Sequence, residues 1–228
     1  MKEGQLGISF DGDADRLIMI DENKEVANGD VIIALLANYL SEIKKLDKKS
    51  VVSTVMSNYG FKLAMKNNNF NLIETPVGDK YVAEAMKKHK VVLGGEQSGH
   101  IIFSEYLPVG DGLVTFLLVL KALNYFDTTL ADFRKQNIQE YPQKLINIQL
   151  ENTLNDEELE FINQTAFELS NKKNLDGRYL IRNSGTEPLL RVLVEAKNSE
   201  EMESFLNELL IKINACLLYT SPSPRDSD

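Results

Sequence analysis

The sequence predicts an α/β fold in which a three-layer domain with a parallel or mixed sheet is followed by a small α+β domain with an antiparallel sheet. Short apolar strands alternate with helical segments from residue 51 to residue 126, as in a sheet covered by helices on both faces. After Pro142 the first strand alternates apolar and polar residues, as in a half-exposed antiparallel sheet. At 228 residues the chain has room for one or two domains.

An acidic loop lies between the first two predicted strands, residues 6–10 and 17–20. Asp11, Asp13 and Asp15 occupy alternate positions, and the small residues between them let the backbone bend so that the carboxylates converge. Converging like charges repel each other unless a cation neutralises them, and oxygen ligands suit a hard cation such as Mg²⁺. The loop therefore predicts a Mg²⁺ site with coordination positions left for a phosphate.

Two other interpretations of the acidic loop were weighed. A solvated acidic turn would have a similar composition. An EF-hand would place the three aspartates and Glu22 at calcium-ligand positions of its loop. The EF-hand fails because its sixth position needs a glycine for the sharp turn, and this chain has Arg16 there.

The remaining elements of the α/β domain follow from apolar periodicity. Residues 30–46 have the 3.6-residue period of a helix and end in lysines, which favour a helix C-terminus. Short apolar runs and further helical periods predict strands at 51–55, 70–74 and 91–93, and helices at 59–66, 78–88 and 113–126.

The α+β domain begins near residue 141. Asn155 is a suitable N-cap for a helix at 155–170, and Ser199 is the predicted cap of the final helix. The last residues, 219–228, are polar and without apolar periodicity, so they are expected to be disordered and resemble a translated cloning or sequencing-adapter scar. Strands are predicted at 144–150, 178–182 and 190–194.

A glycine-rich loop, residues 94–100, follows the third predicted strand. Ligands of open α/β sheets bind beyond the carboxyl ends of the strands, which is where this loop lies. Glu96 and Ser98 carry groups that hydrogen-bond sugar hydroxyls, and His100 could donate to a phosphate or shuttle a proton. The alternative is a flexible glycine loop with a surface histidine.

A second loop, residues 75–80, also follows a strand and opens a helix. Helix N-termini favour anions, and Lys80 adds positive charge there. This indication is weak by itself, because Asp79 could be an ordinary acid of a first helical turn.

The third loop with binding chemistry is the anion loop, residues 182–191, between two predicted strands. Arg182 and Arg191 can bind a phosphate through paired N–H groups, and the Ser-Gly-Thr sequence at 184–186 adds hydroxyls and a flexible glycine. The alternative is an ordinary polar hairpin loop.

Composition excludes several function classes. The net charge of −9 argues against a general nucleic-acid binder, because a phosphate backbone needs a basic surface. No apolar run approaches the roughly 20 residues of a membrane-spanning helix. The single Cys216 excludes an internal disulfide and fits a reducing compartment, so a cytoplasmic location is expected.

Taken together, these stretches resemble the α-D-phosphohexomutase superfamily over residues 4–215. The acidic loop, residues 11–16, resembles its metal loop, the glycine-rich loop its sugar-recognition loop, and the anion loop its C-terminal phosphate-binding loop, in the same order. Within the superfamily, Gln97 and the stretches 55–58 and 75–82 are most similar to bacterial phosphoglucosamine mutases.

The resemblance implies interconversion of glucosamine 6-phosphate and glucosamine 1-phosphate through a bisphosphorylated sugar. Asp11, Asp13 and Asp15 would hold Mg²⁺, and Arg16 would steady the transferring phosphoryl group, with His100 as a second catalytic candidate. The phosphorylated hexosamine would be bound at the sugar by Asp79, Lys80, Glu96, Ser98 and His100, and at its phosphate by Arg182, Ser184, Gly185, Thr186 and Arg191.

The sequence departs from the superfamily in one important respect. A Thr-Ala-Ser-His-Asn-Pro-like run, whose phosphoserine donates the phosphoryl group, does not occur in it. The resemblance therefore implies a C-terminal fragment that lacks the first domain and is inactive alone. Residues 1–26 would be a remnant of the second domain, 27–140 the third domain, 141–216 the last domain, and 217–228 a non-native tail.

Two alternatives to this function stay open. The parent enzyme could be a phosphomannomutase or a phosphoglucomutase, because these share the same set of loops. The chain could also be a non-catalytic protein that binds phosphosugars. A smaller departure is Asn183, which stands where proline is more usual in the superfamily and affects only local backbone stiffness in this interpretation.

Overall fold

The chain folds as two units, residues 1–140 and 141–228, in a computed structural model that describes residues 4–185 and 187–220. Each unit has its own buried apolar residues. Thr186, one of the predicted phosphate-binding residues, lies outside the described residues, as do residues 221–228 of the predicted tail.

The first unit begins with a small antiparallel sheet ordered β1-β2-β3. Phe10 at the end of β1 pairs with Leu17 at the start of β2, so the two strands form a hairpin. The loop of this hairpin is the acidic loop, residues 11–16, called the metal loop from here on. Leu17 and Met19 are fully buried and anchor this hairpin in the core of the unit. The strands are β1 Gly7–Phe10, β2 Leu17–Ile20 and β3 Val26–Ala27.

The second sheet of the first unit is mixed and ordered β5-β4-β6-β7. β4 runs parallel to β5 and β6, while β7 runs antiparallel to β6. The sequence does not predict β7, because three residues directly after a glycine-rich loop are too few for a periodic signal. The strands are β4 Ser50–Thr54, β5 Asn71–Thr75, β6 Leu93–Gly95 and β7 Ile101–Phe103.

Helices cover both faces of the mixed sheet, as predicted. Successive residues of β4 point to opposite faces, so Val51 packs in the cluster that contains Phe61, and Val52 packs with Val82 and Met86. The mixed α/β fold class is therefore confirmed. The helices are α1 Gly29–Glu42, α2 Tyr59–Asn67, α3 Asp79–His89, α4 Gly112–Phe126 and α5 Leu130–Asn137.

Two of these helices differ from the prediction. α1 ends at Glu42 rather than at residue 46, because Lys44 adopts a left-handed backbone conformation with a φ of 57°. α5 forms where the sequence predicts no element. Thr129 caps its N-terminus, and the distant Glu22 carboxylate accepts hydrogen bonds from two of its backbone N–H groups, a contact without a local sequence signal.

Among the described residues, no single helix is long and apolar enough to cross a membrane. α4 and α5 meet that requirement only as a pair, and the pair is bent by 77°. α4 packs against α1 and the small antiparallel sheet within the first unit. Its apolar composition therefore reflects, in part, burial in the core of this unit.

The second unit is a three-stranded antiparallel sheet ordered β8-β10-β9, packed with two helices. Val192 and Val194 of the central strand are fully buried among Ile162 of the first helix and Phe205 and Leu209 of the second. This arrangement confirms the predicted α+β architecture. The elements are β8 Gln143–Gln149, α6 Asp156–Lys173, β9 Gly177–Asn183, β10 Leu189–Ala196 and α7 Ser199–Thr220.

The N-cap prediction is confirmed for α6 and wrong for α7. Asn155 caps α6 and forms a capping box with Glu158, in which each side chain accepts a hydrogen bond from the other residue's backbone N–H. For α7 the cap is Asn198, whose Oδ1 accepts a hydrogen bond from Glu201 N–H at 2.9 Å, while Ser199 is the first helical residue. Adjacent polar residues both suit a cap, so sequence alone could not separate them.

α7 also runs further than predicted. The tail was expected to be disordered from residue 217, yet the helix continues to Thr220. Cys216 is buried in the apolar cluster of the second unit and Leu217 packs against it, so the last turns continue the apolar face that includes Ile213. This packing offsets the entropic cost of ordering the chain.

Candidate active-site loops

The metal loop brings its three aspartates together. One carboxylate oxygen from each of Asp11, Asp13 and Asp15 lies within 4.8 Å of the others. The turn depends on Ala14, which has a left-handed φ of 61° and donates its N–H to Asp11 O at 3.3 Å. The structure therefore brings together the residues that the sequence predicts as metal ligands.

Arg16 lies beside these carboxylates. Its backbone N–H donates to Asp11 Oδ1 at 3.2 Å, and its Nε is 3.7 Å from Asp11 Oδ2 and 3.8 Å from Asp15 Oδ1. The guanidinium is half exposed, so it can reach an anion that approaches the loop. The guanidinium could therefore bind an anion at the metal loop.

The acids of the loop differ in their pKa values. Burial raises the pKa of Asp15 above its ordinary value, and a hydrogen bond with Asp11 and the neighbouring charges add to this, while His100 opposes it. For Asp11, burial acts to raise the pKa, but the hydrogen bonds from Arg16 and Asp15 outweigh it and lower the pKa. The two adjacent carboxylates therefore do not ionise equally easily.

The donor set fits a hard divalent cation such as Mg²⁺. The ligands available are carboxylate oxygens, which such cations prefer. Asp15 Oδ1 is buried and has no hydrogen-bond partner among the described residues, which is costly unless a cation or another ligand satisfies it. Asp11, Asp13 and Asp15 would hold the ion.

The glycine-rich loop is a tight turn between β6 and β7. Glu96 N–H donates to His100 O at 2.9 Å, and Gly99 N–H donates to Glu96 O at 3.0 Å. Gly99 has a φ of +91°, and a side chain there would collide with Leu17 O at the start of β2. Leu17 N–H in turn donates to Gly99 O at 3.0 Å, so the glycine-rich loop is fixed to the metal loop.

Glu96 joins the glycine-rich loop to the loop at 75–80. Its Oε1 accepts a hydrogen bond from Gly78 N–H at 3.1 Å, just before α3 begins. Ser98 is exposed, as are Asp79 and Lys80 at the start of α3. These four predicted sugar-binding side chains therefore lie on two loops that Glu96 holds together.

His100 is not the surface histidine of the alternative interpretation. Its imidazole is buried, and its Nδ1 lies 3.1 Å from Asp15 Oδ2. The reason is the backbone bridge between His100 and Arg16, which turns the histidine inward toward the metal loop.

Several residues that position these loops were not predicted. Gly112 at the start of α4 donates its N–H to Ala14 O at 2.9 Å, and a side chain there would come within 2.7 Å of Arg16 O. Gly29 at the start of α1 donates to Gln97 O at 2.9 Å. Both glycines directly precede or begin a helix, which is the signal that could have marked them.

A buried carboxylate, Asp30, orders the stretch that follows β4. It lies in the first turn of α1, is almost fully buried, and its Oδ2 accepts a hydrogen bond from Asn58 N–H at 2.8 Å. Asn58 itself caps α2. Residues 55–58, one of the stretches that carried the resemblance, are therefore held by a contact from a distant helix.

In the second unit the anion loop is a hairpin between β9 and β10. Arg182 and Arg191 face each other in the strand register, and Ser184 N–H donates to Leu189 O at 2.8 Å. Burial lowers the pKa of Arg182, and the charge of Arg191 lowers it further. Two neighbouring guanidinium groups in a half-buried position favour an anion between them.

Buried polar atoms of the anion loop also indicate a ligand. In the part of the chain that the structure describes, Ser184 Oγ and Arg191 Nε are buried without a hydrogen-bond partner. Asn183 is anchored, since its Nδ2 donates to Leu154 O at 2.8 Å. Gly185 is exposed with open space around it. Unpaired buried donors are costly, and a bound phosphate would satisfy them.

Comparisons with known proteins identify relatives of this chain. The phosphoglucosamine mutase of Ligilactobacillus salivarius is 42% identical over 214 residues, and that of Bacillus subtilis is 40% identical over 209 residues. The alignments cover 94% and 92% of this chain but 47% and 46% of the relatives. The chain thus spans about half the length of the relatives it matches.

A solved structure shares the fold. The crystal structure of Aspergillus fumigatus N-acetylphosphoglucosamine mutase in complex with GlcNAc-6P and magnesium aligns with a TM-score of 0.77 at 22% sequence identity. The alignment covers 93% of this chain and 53% of that chain. At this level of identity the likeness establishes the fold.

Two family models account for most of the chain. The model described as phosphoglucomutase/phosphomannomutase, alpha/beta/alpha domain III, matches residues 28–141, and the model for the C-terminal domain of the same family matches residues 145–212. The first match alone covers half of the 228 residues. The chain therefore belongs to the phosphoglucomutase/phosphomannomutase family.

Proposed function

We propose that this chain supplies the metal, sugar and phosphate sites of a phosphoglucosamine mutase. The reaction interconverts glucosamine 6-phosphate and glucosamine 1-phosphate through a bisphosphorylated sugar. The observation that carries the proposal is the convergence of Asp11, Asp13 and Asp15 beside Arg16 in a member of this family. The names of the relatives at about 40% identity support the amino-sugar substrate.

In this proposal the metal loop neutralises the negative charge of the transferring phosphoryl group. Mg²⁺ bound by the three aspartates would neutralise negative charge on the transferring phosphoryl group. Arg16 stabilises the same group by donating N–H hydrogen bonds to its oxygens. Catalysis of this type depends on positioning and electrostatics, so the exact placement of these side chains decides the rate.

The other loops bind the substrate. Glu96 and Ser98 hydrogen-bond the sugar hydroxyls, while the exposed Asp79 and Lys80 add contacts at the start of α3. The anion loop binds the phosphate that does not react. Its binding groups are Arg182, Ser184, Gly185, Thr186 and Arg191.

The phosphoserine that donates the phosphoryl group comes from outside this sequence. The sequence contains no Thr-Ala-Ser-His-Asn-Pro-like run. We therefore expect the chain alone to bind phosphosugars and to have no mutase turnover.

The test compares the chain alone with the chain joined in frame to the preceding half of the Bacillus subtilis relative. We expect conversion of glucosamine 6-phosphate by the joined protein and none by the chain alone. Turnover by the chain alone would contradict the fragment interpretation. A folded joined protein that is inactive would contradict the proposed function. A joined protein that converts mannose 6-phosphate or glucose 6-phosphate much faster than glucosamine 6-phosphate would contradict the substrate assignment.

A further inference from the structure

His100 is buried and contacts the metal loop. Its side chain is only 8% exposed. Its Nδ1 lies 3.1 Å from Asp15 Oδ2, a hydrogen-bond distance. Asp15 Oδ1, the other oxygen of the same carboxylate, is buried and has no hydrogen-bond partner among the described residues.

A glycine packs against the imidazole on its other side. A side chain at Gly110 would collide with three ring atoms of His100, including Nε2. Gly110 is itself held by a backbone bridge to Ile102 in β7. The imidazole ring therefore lies between Gly110 and Asp15. The backbone bridge to Arg16 fixes the backbone of His100.

We propose that His100 is a positioning residue for the metal loop. Its Nδ1–H donates to Asp15 Oδ2, which orients the carboxylate and leaves Oδ1, which has no hydrogen-bond partner among the described residues, as an oxygen that could bind the cation. Hydrogen bonds from outside the ligand set fix the orientation of a metal ligand. The loss of such a hydrogen bond weakens metal binding by about 10- to 100-fold. The proposal rests on the proposed metal site.

The direct test measures Mn²⁺ binding to the whole chain by electron paramagnetic resonance, with Mn²⁺ as the probe of the site. His100→Ala removes the donor, and we expect Mn²⁺ affinity to fall by about tenfold or more. His100→Asn keeps an N–H donor near the position of Nδ1, and we expect it to restore most of the affinity. His89→Asn is the matched control, because His89 is exposed at the end of α3 and should change nothing.

Two results of the binding test would overturn the proposal. Equal affinity of wild type and His100→Ala would show that the donor has no role. Equal weakening by His100→Ala and His100→Asn, with both variants folded, would show that the hydrogen bond is not what matters. If the wild type binds no Mn²⁺, or binds it no more tightly than Asp13→Ala does, the proposed metal site is rejected. The proposed role of His100 is then rejected too.

Two further measurements keep the test decisive if His100→Ala does not fold. Nitrogen NMR of the wild-type chain should show a proton on His100 Nδ1, and a ring protonated only at Nε2 would overturn the proposal. Gly110→Ala displaces the imidazole without changing its chemistry, so Mn²⁺ affinity should fall as in His100→Ala.

Discussion

Arg16 and His100 pair through their backbones in an isolated antiparallel bridge. This bridge joins the metal loop to the glycine-rich loop, and the hydrogen bond from Leu17 N–H to Gly99 O belongs to it. Within the first unit, the two loops are therefore joined through their backbones. A substitution in either loop should be detectable at the other.

Gly99→Ala should destabilise the first unit by about 1–3 kcal/mol, because it adds a collision with Leu17 O to a backbone at φ +91°. Urea unfolding of the whole chain measures this change. Gly12→Ala, in open space, should leave the free energy of unfolding almost unchanged. Equal effects of the two substitutions would show that the contact between the two loops is not tight.

Asp13→Ala should abolish Mn²⁺ binding while leaving the fold intact, because Asp13 is exposed and contributes a ligand oxygen. Calorimetry and thermal unfolding measure the two effects. Glu160→Gln, an exposed acid of α6, is the control for loss of one negative charge. We expect Mg²⁺ binding by the wild-type chain to be weak without a phosphate ligand, so a micromolar dissociation constant would contradict this expectation.

Mn²⁺ affinity should fall as the pH drops through the pKa of Asp15. Burial raises that pKa above the ordinary value of 3.8, so the loss begins at a higher pH than for an ordinary aspartate. Titrations with Mn²⁺ across the acidic range measure this dependence. An affinity that stays constant until the pH reaches the ordinary value would contradict the raised pKa.

The same two acids affect fold stability in opposite directions when no metal is present. The raised pKa of Asp15 contributes stability that is present below 3.8 and is lost as the pH rises through the folded-state pKa. The lowered pKa of Asp11 contributes stability that is present above 3.8 and is lost as the pH falls through its folded-state pKa. Asp15→Asn should therefore stabilise the metal-free chain at neutral pH, which thermal unfolding can measure.

Ser184→Ala should weaken phosphate binding by about tenfold with little change in fold stability. The reason is that Ser184 Oγ is buried without a hydrogen-bond partner among the described residues, so its removal breaks no bond there. Calorimetry with glucosamine 6-phosphate measures the affinity, and urea unfolding the stability. Ser170→Ala in α6 is the control. A strong loss of stability with unchanged affinity would assign Ser184 a structural role.

The sequence predicts the convergence of the three aspartates, because acids at alternate positions between two short apolar strands lie in one short loop. The hairpin that closes at Phe10 and Leu17 confirms the strands on both sides of the loop. The parallel strands and their helices are also predictable, since each has a clear apolar period. The positions of Asp79, Lys80, Glu96 and Ser98 as sugar contacts stay predictions.

What the sequence could not predict depends on contacts between distant residues. The orientation of His100 comes from its bridge to Arg16, which lies 84 positions earlier in the chain, and no local pattern contains that information. α5 is held partly by Glu22, and β7 is three residues long. Asn198 and Ser199 are both good caps, so the start of α7 was ambiguous by one residue.

The pairing of Arg182 with Arg191 has a practical consequence for how the stability of this chain is read. Any anion that binds the folded hairpin and not the unfolded chain shifts the unfolding equilibrium by mass action. A phosphate or sulfate buffer should therefore raise the melting temperature of the second unit, whereas chloride at the same ionic strength should not. Melting temperatures from different buffers describe different ligation states, so variants of the anion loop should be compared in one buffer.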